Sequence, residues 1–242
     1  MRIPRFYTTQ ALQADDEITL EESVSHYIST VLRLRENAPI VLFNGNGADY
    51  TADVVAPHKK QTKVVINAQI SLNVESPLQI HLAQGVSKGD RMDYALQKAV
   101  ELGVSEITPV LTEFCNVKLS QERWEKKHEQ WQKIIIGACE QSQRNCIPSL
   151  HPAMTFGQFI KVSTLQKRII LAPGSQTYLS GLARHPQGFQ LLVGPEGGFS
   201  EQEVYTAEQI GYTAVNMGPR ILRTETAAAT SIAVLQALHG DL

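Results

Sequence analysis

Strong net charge, paired cysteines and long apolar runs are all missing from this chain of 242 residues. Its 22 Lys+Arg stand against 24 Asp+Glu, a net charge of −2, so it does not coat nucleic acid through bulk positive charge. Any RNA contact must come from local basic clusters. Cys115, Cys139 and Cys146 are odd in number and show neither a CxxC pair nor zinc-like Cys/His spacing, which reads as reduced structural thiols. The seven histidines include no HxxxH pair or other obvious ligand set, so no metal is expected. No segment approaches the roughly 20 apolar residues that span a bilayer, and the opening MRIPRFYTTQ lacks the apolar stretch of a signal peptide. The expectation is a soluble, cytoplasmic protein. No GxGxxG is present, and no Lys-Ser or Lys-Thr follows the glycine-rich loop at 194–200, which excludes a dinucleotide fingerprint and a P-loop.

What is present falls into two rhythms. From residue 38 to about 70 the runs PIVLF, ADYTADVV and TKVVINAQI read as strands, with NGNG at 44–47 as a hairpin turn. Ahead of them Val24, Tyr27, Ile28, Val31 and Leu32 recur at helical spacing, predicting a short helix packed on those strands. This β-rich module is assigned to residues 1–72, with SLNVESP at 71–77 as connector. From residue 78 strands and helices alternate: LQIHLAQ, EITPVLT, RIILA, FQLLV and TAVNM are each followed by a helix or a loop. That pattern predicts an α/β domain over 73–242 whose largely parallel sheet is covered on both faces. Met92, Ala95, Leu96, Ala99 and Leu102 form one helical stripe ending at Gly103, and Trp124, His128, Trp131, Ile135 and Ala138 form another. Both stripes read as core.

Two loops carry the chemistry. LLVGPEGGFSEQE is a buried strand, a glycine-rich loop, and then Ser200 with Glu203 three residues on, the capping box that opens a helix. AVNMGPRILRTETAAAT repeats the plan, a strand, Gly218-Pro219, and a helix beginning near Thr224 with small residues. Ligands of open α/β sheets bind at strand carboxyl ends, where helix N-termini offer N–H groups. Each loop alone has a bland explanation. Together they predict one ligand site.

The set KGDRMDYALQKAVELGV, EQSQR at 140–144, GPEGGFS and GPRILRTETAA resembles the SPOUT superfamily, and within it the RsmE family of methyltransferases, which methylates N3 of a uridine in small-subunit (16S) ribosomal RNA. HYISTVLRLRENAPIVLFNGNGADYTADV resembles that family's PUA-like RNA-binding module, so the likeness covers nearly the whole chain. The resemblance implies a C-terminal trefoil knot, a homodimer with the active site near its interface, and bent S-adenosylmethionine held in the knotted loops. Carried over by motif, the cofactor would meet Leu171, Ala172, Gly194, Glu196, Gly198, Met217, Gly218, Ile221 and Leu222, with Thr226 and Ala227 closing the pocket.

Uridine N3 carries a proton, so the site needs a base and a cation that steadies the negative charge. Arg144, Arg220 and Arg223 are the cationic candidates; Glu196 and Glu140 are the candidate bases. The favoured assignment has Arg144 and Arg223 facing substrate while Glu196 orders the pocket or takes the proton. A second reading has Arg220 or Arg223 pairing with Glu196 or Glu225 to hold the loops together. RNA is expected to meet Arg2, Arg5, Arg33, Arg35, Lys60 and Arg144, although residues 1–72 contain seven basic and eight acidic residues and an ordinary solvated surface fits equally. Another SPOUT enzyme, such as a tRNA ribose 2′-O-methyltransferase, and a non-catalytic RNA-binding assembly factor are the alternatives.

Overall fold

A computed structural model describes residues 3–115, 117 and 119–242. Within it the chain forms two compact units, one of residues 1–75 and 139–147, the other of 76–138 and 148–242. Arg2, expected to touch RNA, lies outside the described residues.

The first unit is a five-stranded sheet in the order β1-β3-β4-β5-β2, built from β1 (Arg5–Tyr7), β2 (Glu17–Thr19), β3 (Pro39–Phe43), β4 (Asp49–Ala56) and β5 (Lys63–Ile70). β3, β4 and β5 are antiparallel neighbours, and β3 is joined to β4 as expected through the Asn-Gly turn, where Asn46 Oδ1 accepts the N–H of Ala48 at 3.0 Å. Alternation along the strands sends Leu42, Val54, Val64 and Ile66 inward, all fully buried. Each contributes about 1.5–3 kcal/mol by leaving water.

The expected helix departs from its predicted stripe. An α-helical turn, α1 (Glu22–His26), widens at once into a π-helical turn over Tyr27–Val31, with the Leu32 N–H reaching back to the Tyr27 carbonyl. Widening shifts the register, so Ile28 is buried while Tyr27, Val31 and Leu32 remain exposed.

The second unit contains β6 (Ile80–Gly85), α2 (Asp90–Glu101), β7 (Glu106–Leu111), most of α3 (Gln121–Ser142), β8 (Ser149–Leu150), β9 (Met154–Thr155) and α4 (Phe156–Phe159). It continues through β10 (Lys167–Leu171), β11 (Thr177–Tyr178), β12 (Phe189–Val193), α5 (Glu201–Gln209), β13 (Thr213–Asn216) and α6 (Thr224–His239). The sheet runs β11-β13-β10-β12-β6-β7-β8, with β9 beside β7, and its pairings are parallel. Every residue of β6 and β12 is buried, the signature of strands covered on both faces. α2 packs on α6, and of its expected stripe Met92, Ala95, Leu96 and Ala99 are buried, while Leu102 lies just past the helix end and is half-buried. Among the described residues no helix is long and apolar enough to cross a membrane.

Candidate functional site

The site grows from the carboxyl ends of β6, β10, β12 and β13, which the parallel order brings to one edge of the sheet. β12 delivers the 194–200 loop onto the end of β6. A Cβ on Gly85 would stand 2.4 Å from the Pro195 nitrogen, so the loop lies where only a hydrogen fits. Gly198 turns the chain back with φ of +70°, and Ser200 then caps α5 through the full capping box with Glu203. Glu203 also accepts the Glu113 N–H at 2.9 Å, which fixes the start of α5 to the segment after β7.

The second loop leaves β13 through Asn216, whose Oδ1 accepts the Gly218 N–H at 3.0 Å. It enters α6 at Thr224. There the two loops are joined directly, since Thr224 donates its hydroxyl to the Gly194 carbonyl at 2.6 Å and accepts from Gln84 Nε2 at 2.9 Å. Between them opens a cavity of about 560 Å³, within the usual range for small-molecule sites.

Its lining combines an apolar bed, including Leu171, Val193, Leu222 and Ala227, with Glu196, Arg223 and Glu225. Desolvation pushes the Glu196 carboxyl up, but hydrogen bonds from its own backbone, Arg91 and Lys88 outweigh it and leave Glu196 below the ordinary carboxylate value. Those contacts are 2.9 Å from Arg91 Nη1 and 3.1 Å from the Lys88 N–H. Glu225 Oε2 is buried with no hydrogen-bond partner among the described residues. An orphaned carboxylate oxygen in a cavity asks for a ligand's hydroxyl, amine or positive charge. The cavity therefore suits a molecule with a flat or apolar body that also presents donors.

Of the residues expected to hold a ligand, Leu171, Gly194, Glu196, Gly198, Ile221, Leu222 and Ala227 line this cavity. Ala172, Met217, Gly218 and Thr226 are not in the lining; Ala172 is buried in backbone pairing with Val215, and Thr226 faces outward. Arg223 lines it and Arg220 does not. Glu196 takes Arg91 as its ion-pair partner, in place of the Arg220 or Arg223 pairing considered from sequence. Arg91, Thr224 and Glu225 were not singled out as ligand contacts. Arg91 reads locally as an ordinary exposed residue in the first turn of α2, and only the fold sets it against Glu196.

The remaining candidates belong to the first unit. Arg144 is 5% exposed, and its Nε and Nη2 donate to Glu75 Oε2 at 2.9 and 2.5 Å. Glu140 accepts the Tyr7 N–H at 3.0 Å, and burial, only partly opposed by that bond and by Arg5, raises its pKa. Arg5 points inward: its guanidinium pairs with Asp49, donates to the Arg144 carbonyl and lies over the Phe43 ring. Arg33, Arg35 and Lys60 are exposed, Lys60 standing 3.7 Å from Glu22.

Comparison with known proteins agrees with this arrangement. Residues 74–236 match the model of an RNA methyltransferase domain, and residues 20–67 that of an RNA methyltransferase PUA domain. The "Ribosomal RNA small subunit methyltransferase E" of Buchnera aphidicola subsp. Schizaphis graminum is 36% identical, covering 100% of this chain and 98% of that protein. A methyltransferase of Legionella pneumophila, solved with the cofactor SAM bound, superposes with a TM-score of 0.97 at 41% identity, each chain covered in full. The "Ribosomal RNA small subunit methyltransferase E" of Neisseria gonorrhoeae, bound to S-adenosyl methionine, gives 0.93 at 40% identity with the same coverage.

Proposed function

The chain belongs to the RNA methyltransferase family, and from that premise we propose that it transfers a methyl group from S-adenosylmethionine to N3 of a uridine in 16S ribosomal RNA. One observation carries the reading. The two Gly-Pro loops are tied through Thr224 and Gly194 around a cavity of the right size, at the strand ends where such sheets bind ligands.

S-adenosylmethionine, when bound, supplies an electrophilic methyl carbon on a sulfonium sulfur. Leu171, Val193, Leu222 and Ala227 provide the apolar bed for it, and Glu225 Oε2, without a partner among the described residues, offers an acceptor to its hydroxyl or amino groups. Glu196 is held ionised by Arg91 and Lys88, which makes it a weak base near neutral pH and suits it to ordering the 194–200 loop. Arg223 lines the cavity and forms no ion pair among the described residues, so its guanidinium is available to the oxygens of a uridine whose N3 has lost its proton. Arg144 and Glu75 brace residues 143–147 of the first unit, which gives Arg144 a positioning part.

Phosphate contact falls to Arg33, Arg35 and Lys60. Exposed Tyr27, Val31 and Leu32 precede the two arginines directly, a basic and apolar strip of the kind that holds unpaired RNA. The same reading includes the trefoil knot, a homodimer, action on the small ribosomal subunit, and a place in the cytoplasm where that subunit is made.

The decisive experiment supplies labelled cofactor and small subunits lacking the modification, then identifies the methylated nucleoside after digestion. N3-methyluridine is the expected product. A 2′-O-methyl nucleoside would move the enzyme to another acceptor, and cofactor binding without any transfer would make it a binding factor.

A further inference from the structure

A second polar cluster stands at the opposite, amino-terminal end of the same sheet. In β12, β6 and β7 the residues Gln190, His81 and Glu106 are register partners, and in neighbouring parallel strands such partners share one face. β8 pairs Ser149 with Glu106, and His151 follows directly after it. Glu106 Oε2 lies 2.9 Å from His151 Nε2 and 4.0 Å from His81 Nδ1, and one ligand atom from each of the three residues falls within 4.8 Å of the others. They border a cavity of about 400 Å³.

We propose that His81, Glu106 and His151 form a binding site for one divalent transition-metal ion of the Zn²⁺ class, separate from the methyl-donor cavity. Bonds of about 2.0–2.2 Å from nitrogen and oxygen around one centre set ligand atoms about 3–4 Å apart, so the observed spacing needs only a small rotamer adjustment. Two imidazoles with one carboxylate favour Zn²⁺, Co²⁺ or Ni²⁺ over Mg²⁺ or Ca²⁺, which take mostly oxygen.

Two features beyond the three ligands fit the ion. His81 Nε2 is 2.8 Å from the Thr108 hydroxyl; donating there, the ring presents the bare Nδ1 toward Glu106, the outer hydrogen bond that orients most metal-binding histidines. In that tautomer, and without a cation, the lone pair would face the Glu106 carboxylate. Gln190, fully buried and lining the same cavity, has its Oε1 taken by the Tyr212 hydroxyl while its Nε2 finds no partner among the described residues. A water on the open fourth position of the ion would accept from that N–H. The ion would pin β6, β7 and the residue after β8 together, and is expected to raise the thermal midpoint without changing affinity for the methyl donor.

The test uses tag-free full-length protein stripped with chelator and titrated with Zn²⁺ by calorimetry, with bound metal counted by mass spectrometry and Co²⁺ loading followed by visible absorption. One ion per chain, four-coordinate Co²⁺ bands and a rise in melting temperature are expected. His151→Ala and Glu106→Gln, at half-exposed positions, should each bind at least about tenfold more weakly while keeping their circular dichroism. His81→Ala is the less informative variant because that ring is buried. Failure of the parent protein to take up Zn²⁺ or Co²⁺ at micromolar free metal overturns the proposal. So does equal affinity in the His151→Ala/Glu106→Gln double variant.

Discussion

Thr224 donates its hydroxyl proton to the carbonyl oxygen of Gly194 across 2.6 Å, and this bond joins the first residue of α6 to the loop after β12. The same hydroxyl receives Gln84 Nε2, which also donates to the Gly85 carbonyl, so its removal leaves the half-buried Gly194 carbonyl without this donor and Gln84 with one bond fewer. A polar group left without a partner costs up to about 1–3 kcal/mol when it is buried. Thr224→Val, nearly the same shape, is expected to weaken S-adenosylmethionine binding at least about tenfold, or 1.4 kcal/mol, in calorimetric titration. Thr224→Ser keeps the hydroxyl and should stay close to the parent.

Glu196 yields a pH prediction with a definite sign. Its folded pKa lies below the ordinary 4.5, so whatever order it brings to the 194–200 loop is complete above that value. That order is lost only as acid carries the pH down through the depressed pKa. Cofactor affinity should therefore be flat from weakly acid to neutral pH, and Glu196→Gln should lower it across that range. A step in affinity near neutrality that Glu196→Gln abolishes would show instead that Glu196 titrates there and serves as the base.

Arg5 and Arg33 are expected to separate cleanly. Arg5 is paired with Asp49 and almost wholly buried, and breaking such a pair by removing one partner costs about 3–5 kcal/mol. Arg5→Ala should thus lower the melting temperature sharply. The Arg33→Ala/Arg35→Ala double variant should leave melting unchanged and weaken RNA binding. Its log-log salt slope should become shallower by about 0.7–0.9 for each phosphate that the variant no longer neutralises.

The cysteines differ in reactivity. Burial pushes the Cys139 thiol up to about 12, leaving almost no thiolate at mildly alkaline pH. Cys115 and Cys146 are partly exposed. Iodoacetamide treatment of the folded protein, read by peptide mass spectrometry, should spare Cys139 until denaturant is added. Early modification of Cys139 would mean that its surroundings open far more readily than the packing implies.

Much of this was legible in the residues, for physical reasons that also mark where legibility ends. The stripe from Met92 to Ala99 and the Ser200/Glu203 box are local signals, with spacing set by the helix itself, and both appear where expected. Strands of two or three residues, such as β1, β8 and β11, are too short to show alternation. The inward turn of Arg5 depends on Asp49, far away in sequence, and nothing near Arg5 distinguishes it from a surface arginine. His81, Glu106 and His151 show no ligand spacing in the chain because the register of three parallel strands, which no local pattern encodes, brings them together. The two ligand loops could be paired in advance only because each follows a buried strand and opens a helix.

Arg223 and Arg144 now call for different experiments. Arg223 sits at the N-cap of α6 without capping it, exposed and lining the cavity, so its removal should leave stability nearly intact. If it steadies the anionic uridine, Arg223→Ala should slow single-turnover methylation about 100-fold or more, the scale for losing one preorganised donor, while cofactor affinity changes little. Arg223→Lys should recover only part of the rate because a point charge replaces a planar fork. Arg144 is buried on Glu75, and Arg144→Ala leaves that carboxylate and the Cys146 N–H that it receives poorly supported. Its rate should fall together with its melting temperature. An Arg144→Ala enzyme that melts like the parent yet transfers methyl groups slowly would return Arg144 to direct contact with the substrate.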